Sequence, residues 1–265
     1  MTEKSTKSRS AYAAPALERG FDILELLATM PAGLTISEIA QQLGRSMSEV
    51  FRVTIVMERR GWLRKDPQSD HYSVSHWVLD VAYRATPARS LATVAAPVMQ
   101  SLVSATNQSC HLVVRAEARG LVVQRIENLG PAGFAMRAGA VIDLVTSCSG
   151  HVLLAFADDA QRDAIIAAQP ADAAAAIRKL RPHLAVVRAQ GYEMSPSARA
   201  SGVTDISVPI FAFGGAITAA LTVPYLEMID GSQRTDLVAT REMLMAAGAA
   251  ISESLGASSG PRRPD

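Results

Sequence analysis

The sequence predicts an α+β protein of two parts: three short helices closed by a hairpin, then a larger antiparallel sheet with helices packed on it. Three observations carry this. Thr35 and Glu38, and again Ser46 and Glu49, have the S/T-x-x-E spacing of a capping box, in which hydroxyl and carboxylate satisfy free amides at a helix start. Between the two boxes stands Gly44, suited to ending a helix in the left-handed conformation. Beyond residue 106 the pattern changes to apolar runs such as "CHLVVRAE", "LVVQRIEN" and "GVTDISVPIFAFGGAITAALTVPY", which read as strands. A chain of 265 residues has two domains as its better prior.

Residues 1–13 are polar and read as a frayed tail. A first helix spans about Pro15 to Met30, with Leu17, Phe21, Leu24 and Ala28 at the spacing of one buried face. The second helix places Ile36, Ile39, Ala40 and Leu43 on one side and is too short to stand without neighbours. The third runs from Met47 to Arg60, with Val50, Val53 and Met57 inward and Gly61 as its stop. Trp62 and Leu63 suit a strand, Asp66 to Asp70 a turn, and His71 to Val74 the returning strand.

From Trp77 to about Thr106 the pattern is helical, interrupted near Pro87 and at Pro97, and contains the domain linker. A short turn around Ala118-Arg119-Gly120 joins "CHLVVRAE" to "LVVQRIEN", and "GFAMRAGA" is a further strand candidate. "TSCSGHVLLAFA" starts a helix, Asp172 to Gln190 is helical, and Gly214-Gly215 marks a hairpin. A last helix spans about Ser232 to Leu255 before a loose tail. The expected boundaries are 14–75 for the small unit, 76–89 for the linker helix and 90–257 for the large unit, with 258–265 as tail.

A short connection through glycine between two helices is what a helix-turn-helix needs. The second helix then presents its first residues to the major groove, where base edges are legible. Exposed there are Met47, Ser48, Glu49, Phe51 and Arg52. Around them stand Arg45, Arg59, Arg60, Arg64 and Lys65, against Glu49 and Glu58. The net charge of the chain is +1, so this local excess is the only electrostatic footprint for nucleic acid. The hairpin would be a wing, bringing Lys65 and His71 near phosphates. The other interpretation of the same residues is a helical bundle with solvated arginines.

Other classes find little support. No apolar run is long enough for a bilayer, "AGAVIDLVTSCSGHVLLAFA" being broken by Asp143, Ser and Gly. The N-terminus lacks the hydrophobic segment of a secretion signal. The two cysteines, Cys110 and Cys148, cannot make a disulfide framework, which points to a reducing, cytoplasmic setting. Cys148, Ser149 and His151 invite an enzyme reading, because a thiol at a helix start can become a nucleophile. But Cys148 and His151 lie three apart on one helix and point along it. The five histidines are scattered, and no nucleophile elbow, Walker A, HExxH or paired CxxC occurs. No catalytic residue, metal or cofactor is expected. The free amides at Cys148 and Ser149 instead suit an anion such as a carboxylate.

The stretch "ALERGFDILELLATMPAGLTISEIAQQLG…SEVFRVTIVMERRGWLRKD…HYSV" resembles the N-terminal domain of the IclR family of bacterial transcriptional regulators. "RAGAVIDLVTSCSGHVLLAF", "AQGYE" and "SGVTDISVPIFAFGGAITAALTVP" resemble that family's effector-binding domain. The resemblance implies a winged helix-turn-helix, a linker helix and a GAF-like effector-binding domain. It also implies a double-stranded operator, a small organic acid as effector and a homodimer or homotetramer. Where the family commonly has Lys-Ser-Thr at the start of the recognition helix, this chain has Met47-Ser48-Glu49, while Arg52 keeps the usual arginine. The DNA-facing set is then Arg45, Ser46, Met47, Ser48, Glu49, Phe51, Arg52, Arg64, Lys65 and His71. Glu49 completes the capping box or accepts from a cytosine amine.

The pocket positions implied by the resemblance are Phe134, Ile142, Cys148, Ser149, Ser195, Asp205, Ala220 and Thr222. Ser195 stands at an acidic position of the family, Ala220 at a serine position, and Asp205 where cysteine is frequent. Fewer hydroxyls and a relocated charge argue against a two-carbon ligand and for a larger acid, such as an aromatic one. The reading is a regulator, more a repressor than an activator, of catabolic genes. The alternative is an enzyme or sensor using Cys148 beside a vestigial DNA-binding domain.

Overall fold

The computed structural model describes residues 14–85, 88–130, 133–169 and 173–257. The expectations for both tails, Pro87 and Asp172 lie outside these residues. The chain divides into two compact units between Thr86 and Pro87.

The first unit contains α1 (Pro15–Ala28), α2 (Ile36–Leu43), α3 (Met47–Arg59), the hairpin strands β1 (Leu63–Lys65) and β2 (Tyr72–Val74), and α4 (Trp77–Ala85). Both capping boxes form. The Thr35 amide donates to Glu38 Oε2 at 2.8 Å, and the Ser46 amide to Glu49 Oε2 at 3.2 Å. Gly44 ends α2 at φ 61°. Ile23, Leu27, Ile39, Ala40, Val50, Leu63 and Tyr72 form the core of this unit. An isolated bridge from Leu34 to Tyr72 ties the hairpin to the loop before α2.

The buried face of α1 differs from expectation. Leu17 and Phe21 are 59% and 55% exposed, whereas Ile23 and Leu27 are buried. Two stripes with helical spacing overlap at Leu24. The one that turns inward is the one containing Gly20, whose bare Cα lies over Val53 and Met57 of α3. Ile23 and Leu27 on that stripe join Ile39 and Val50 in the core, and their burial sets the rotation of α1.

The second unit holds a six-stranded antiparallel sheet in the order β5-β4-β3-β8-β7-β6. Its strands are β3 (Cys110–Ala116), β4 (Arg119–Ile126), β5 (Val141–Asp143), β6 (Glu193–Pro196), β7 (Val203–Phe211) and β8 (Ile217–Leu226). One face packs on α5 (Ala88–Thr106) and α9 (Leu237–Ser254) through Met99, Leu112, Ile206, Leu221, Leu244 and their neighbours. The other packs on α6 (Cys148–Phe156), which α8 (Ala174–Gln190) covers in turn, through Val113, Val152, Leu154, Leu184 and Ala220. Strand alternation makes this division: Ala219, Leu221 and Val223 face one side, Ala220 and Thr222 the other.

Several boundaries move. Pro97 does not interrupt α5, whose buried stripe of Leu91, Ala95, Met99 and Leu102 holds the helix through it; packing of this extent offsets the roughly 3 kcal/mol that an interior proline costs. "GFAMRAGA" is not a strand. Gly139 takes a left-handed φ of 81° just where β-structure would run, so β5 begins only at Val141. The turn between β3 and β4 falls at Glu117-Ala118, with Glu117 at φ 52°. The last helix begins at Leu237 because Asp236 caps it, accepting from the Ala239 amide at 2.7 Å. Helix α7 (Asp159–Ala167) and edge strand β6 were not anticipated; β6 is four residues of mixed polarity and carries no alternating apolar signal.

Candidate DNA-reading face and ligand cavity

The turn from Gly44 to Ser46 sets the start of α3 on the surface of the first unit. Met47 and Phe51 are 57% and 51% exposed. With Ile36, Ser48 and Arg52 they line a surface hollow. Arg52 is anchored by its Nε donating to the Ser48 carbonyl at 3.2 Å, and Arg45 and Arg64 are also exposed.

The remaining DNA-facing candidates are engaged within the unit. Glu49 accepts from the Ser46 hydroxyl at 2.7 Å and pairs with Arg19 at 3.0 Å. The Ser46 hydrogen bonds and then Arg19 hold its carboxyl below the ordinary range. Lys65 pairs with Asp70 at 2.7 Å, closing the hairpin turn, and Asp70 holds its ammonium above the usual lysine range. His71 turns toward the α1–α2 connection, its Nδ1 3.2 Å from the Ala32 carbonyl and its Nε2 3.9 Å from Glu38. In this geometry Lys65 and His71 brace the hairpin, and neither projects freely from it.

In the second unit a cavity of about 230 Å³ opens between the sheet, the start of α6 and the segments before β5 and after β6. Phe134, Ile142, Cys148, Ser149, Asp205 and Thr222 line it, as the resemblance implies. Ser195 and Ala220 do not. Ser195 stands on the edge strand, across from Asp205 in the β-ladder. Ala220 is on the same sheet face as Thr222 but two residues along, where it packs among Val113, Val152 and Leu153.

The start of α6 is held firmly. Ser147 accepts from the Gly150 amide at 3.1 Å, and Asp143 Oδ1 accepts from the amides of Val145 and Thr146, both at 2.9 Å. The Cys148 and Ser149 amides are the first of the helix and have no acceptor within it. Burial pushes the Asp205 carboxyl up, partly opposed by the Ser197 hydroxyl. Thr222 shares a 2.6 Å hydrogen bond with Ser207.

Among the lining residues that the sequence did not mark as pocket positions, His111 and Arg199 matter most to its chemistry. His111 is buried beside Thr222 on the sheet floor, and burial pulls its imidazole down to about 4, so the ring is neutral. Its signal was a polar residue inside an apolar strand run. Arg199 stands exposed at the cavity, its guanidinium donating to the Val141 carbonyl at 3.1 Å. It lies in a loop where no periodicity marks it.

Nothing activates Cys148. Its thiol is buried, with the Glu193 and Asp205 carbonyls 3.4 and 3.3 Å away, and burial pushes it up. His151 faces away from it, toward Val145 and Glu193. Among the described residues no helix is long and apolar enough to cross a membrane.

A winged helix-turn-helix in one unit and a small polar-lined cavity in the other define the class of two-unit transcriptional regulators. Residues 84–253 match the bacterial transcriptional regulator IclR C-terminal family, and residues 16–67 the IclR helix-turn-helix domain. The chain belongs to the IclR family of bacterial transcriptional regulators, which are not enzymes. It is 25% identical to the HTH-type transcriptional regulator XynR of Escherichia coli, over 91% of this chain and 97% of that protein. The structure of an IclR homologue from Microbacterium hydrocarbonoxydans, complexed with 4-hydroxybenzoate, superposes with a TM-score of 0.77 at 24% identity, covering 92% of this chain and all of the other. Pseudomonas aeruginosa HmgR superposes at 0.70 with 27% identity, over 91% and 98%.

Proposed function

We propose that this chain is a cytoplasmic repressor of catabolic genes that binds a partly palindromic operator as a homodimer or homotetramer and is released by a hydroxylated aromatic acid. The observation that carries the ligand assignment is the cavity's division of charge. Uncapped amides at Cys148 and Ser149 and the Arg199 guanidinium offer two places for a carboxylate. Asp205 accepts from a ligand hydroxyl, and Phe134, Met136 and Ile142 suit a ring. The volume of about 230 Å³ is below the roughly 300–1,000 Å³ of pockets for drug-sized molecules, so it suits a single ring. The 4-hydroxybenzoate in the Microbacterium relative supports the same class.

In thermal-shift measurements 4-hydroxybenzoate should raise the melting temperature, since a ligand of the native state stabilises it. Asp205→Ala should cut that shift more for 4-hydroxybenzoate than for benzoate. A response to glyoxylate or pyruvate with none to any aromatic acid would overturn the ligand assignment and leave the regulator reading standing.

On the DNA side, Arg52 is the positioned arginine of the reading helix, and the hollow of Ile36, Met47 and Phe51 suits a thymine methyl. Arg52→Ala should weaken operator binding by about 1–3 kcal/mol if the arginine reads a base, with less effect on random DNA. Equal losses on operator and random DNA would assign it to a phosphate, and no loss on either would remove it from the interface.

A further inference from the structure

Behind the start of α6, outside the cavity lining, three side chains converge that neither DNA nor effector recognition uses. His151 comes from α6, His183 from α8 and Glu193 from the first position of β6. One ligand-capable atom of each lies within 4.8 Å of the other two. Linear separations of 42 and 10 residues from Glu193 explain why no motif announced them.

The hydrogen bonds around the cluster fix its chemistry. The Val145 carbonyl can only accept, so the His151 Nε2, 2.8 Å from it, donates to it and turns Nδ1 toward Glu193. This other ring nitrogen, Nδ1, faces Glu193 Oε2 at 3.2 Å. Glu193 is almost wholly buried, and its other oxygen, Oε1, accepts from the Met194 amide at 2.9 Å. His183 Nε2 meets the same Oε2 from the solvent side. A histidine whose far nitrogen donates to a backbone carbonyl is the usual arrangement around a metal ligand, because it fixes tautomer and ring orientation.

We propose that His151 Nδ1, His183 Nε2 and Glu193 Oε2 form a binding site for a divalent transition metal of the zinc class, with a solvent-facing fourth position. Bonds of about 2.0–2.1 Å in a tetrahedron separate ligand atoms by about 3.3 Å, close to the 3.2 Å between His151 and Glu193. His183, half-exposed on α8, retreats from its direct contact with the carboxylate to admit the ion. The ion would cross-link α6, α8 and β6 directly behind Cys148, whose thiol already meets the Glu193 carbonyl. This inference stands apart from the ligand assigned to the cavity.

The test uses the full chain without a polyhistidine tag, stripped with chelator and titrated with ZnCl₂ in the presence of a competing indicator. One zinc per chain is expected. His183→Ala, a half-exposed position whose folding is checked by circular dichroism, and Glu193→Gln should each weaken binding by more than the roughly 10–100-fold seen when only an outer hydrogen-bond partner is lost. Co²⁺ should give the visible bands of a four-coordinate nitrogen–oxygen site. No zinc uptake, or uptake unchanged in both variants, would overturn the site. So would an intense thiolate charge-transfer band with Co²⁺, which places the ion on a cysteine.

Discussion

Ile39→Ala is expected to abolish DNA binding while leaving the larger unit folded. The small unit rests on seven buried residues, and Ile39 is among those with no exposure at all. It sits mid-way along an eight-residue α2 that cannot persist without that contact. Truncating a fully buried isoleucine costs about 2–5 kcal/mol, a large share of the roughly 5–15 kcal/mol that stabilises a whole domain. The Gly44 turn then loses its first helix, and α3 its fixed presentation. Hydrogen exchange checks this: the amides of 36–59 should lose protection, while those of β7 and β8 keep it. Unchanged protection of α2 and α3 would show that the unit is held by something other than this core.

Gly150→Ala should remodel the ligand cavity and destabilise the larger unit. A Cβ at that position would stand 2.4 Å from the Leu144 carbonyl oxygen and 2.5 Å from its Cα. Both are backbone atoms of the turn that Asp143 and Ser147 bolt to α6, so no side chain can swing aside. Overpacking of this kind costs about 1–3 kcal/mol and sometimes more. Relief requires α6 to move from the turn, which displaces the Cys148 and Ser149 amides from the cavity. The expected result is a lower melting transition and loss of the 4-hydroxybenzoate shift, with protection of α2 and α3 unaffected. A wild-type ligand shift in this variant would remove the α6 start from the binding site.

Local chemistry was legible in the sequence, and geometry that depends on distant partners was not. Thr35 with Glu38, Ser46 with Glu49 and Gly44 act within one or two helical turns, so their spacing alone announced a helix, a stop and a second helix. The small residues around Cys148 marked a helix start for the same reason. The rotation of α1 depends on Ile23 and Leu27 meeting the core of the unit, and periodicity along one helix does not choose between its two stripes. Pro97 carried a correct local penalty that the packing of α5 overrode. Ser195 and Ala220 stand two residues from the lining positions Ser197 and Thr222, but register and the cover of α6 keep both side chains out of the cavity lining. His111, Arg199 and the cluster around Glu193 depend on strands and loops meeting across the sheet, and no linear interval encodes that.

In the proposed function, one chain reads an operator and releases it on binding an aromatic acid. Fluorescence anisotropy with DNA from upstream of its own gene, at fixed salt and with or without 4-hydroxybenzoate, tests it most directly. The expected result is binding at least about 10³-fold tighter than to random DNA of equal length, falling with salt, and weakened about 5–150-fold by the ligand, the usual span of coupling between two sites. Equal affinity for both DNAs, or operator binding indifferent to every hydroxybenzoate, would contradict it.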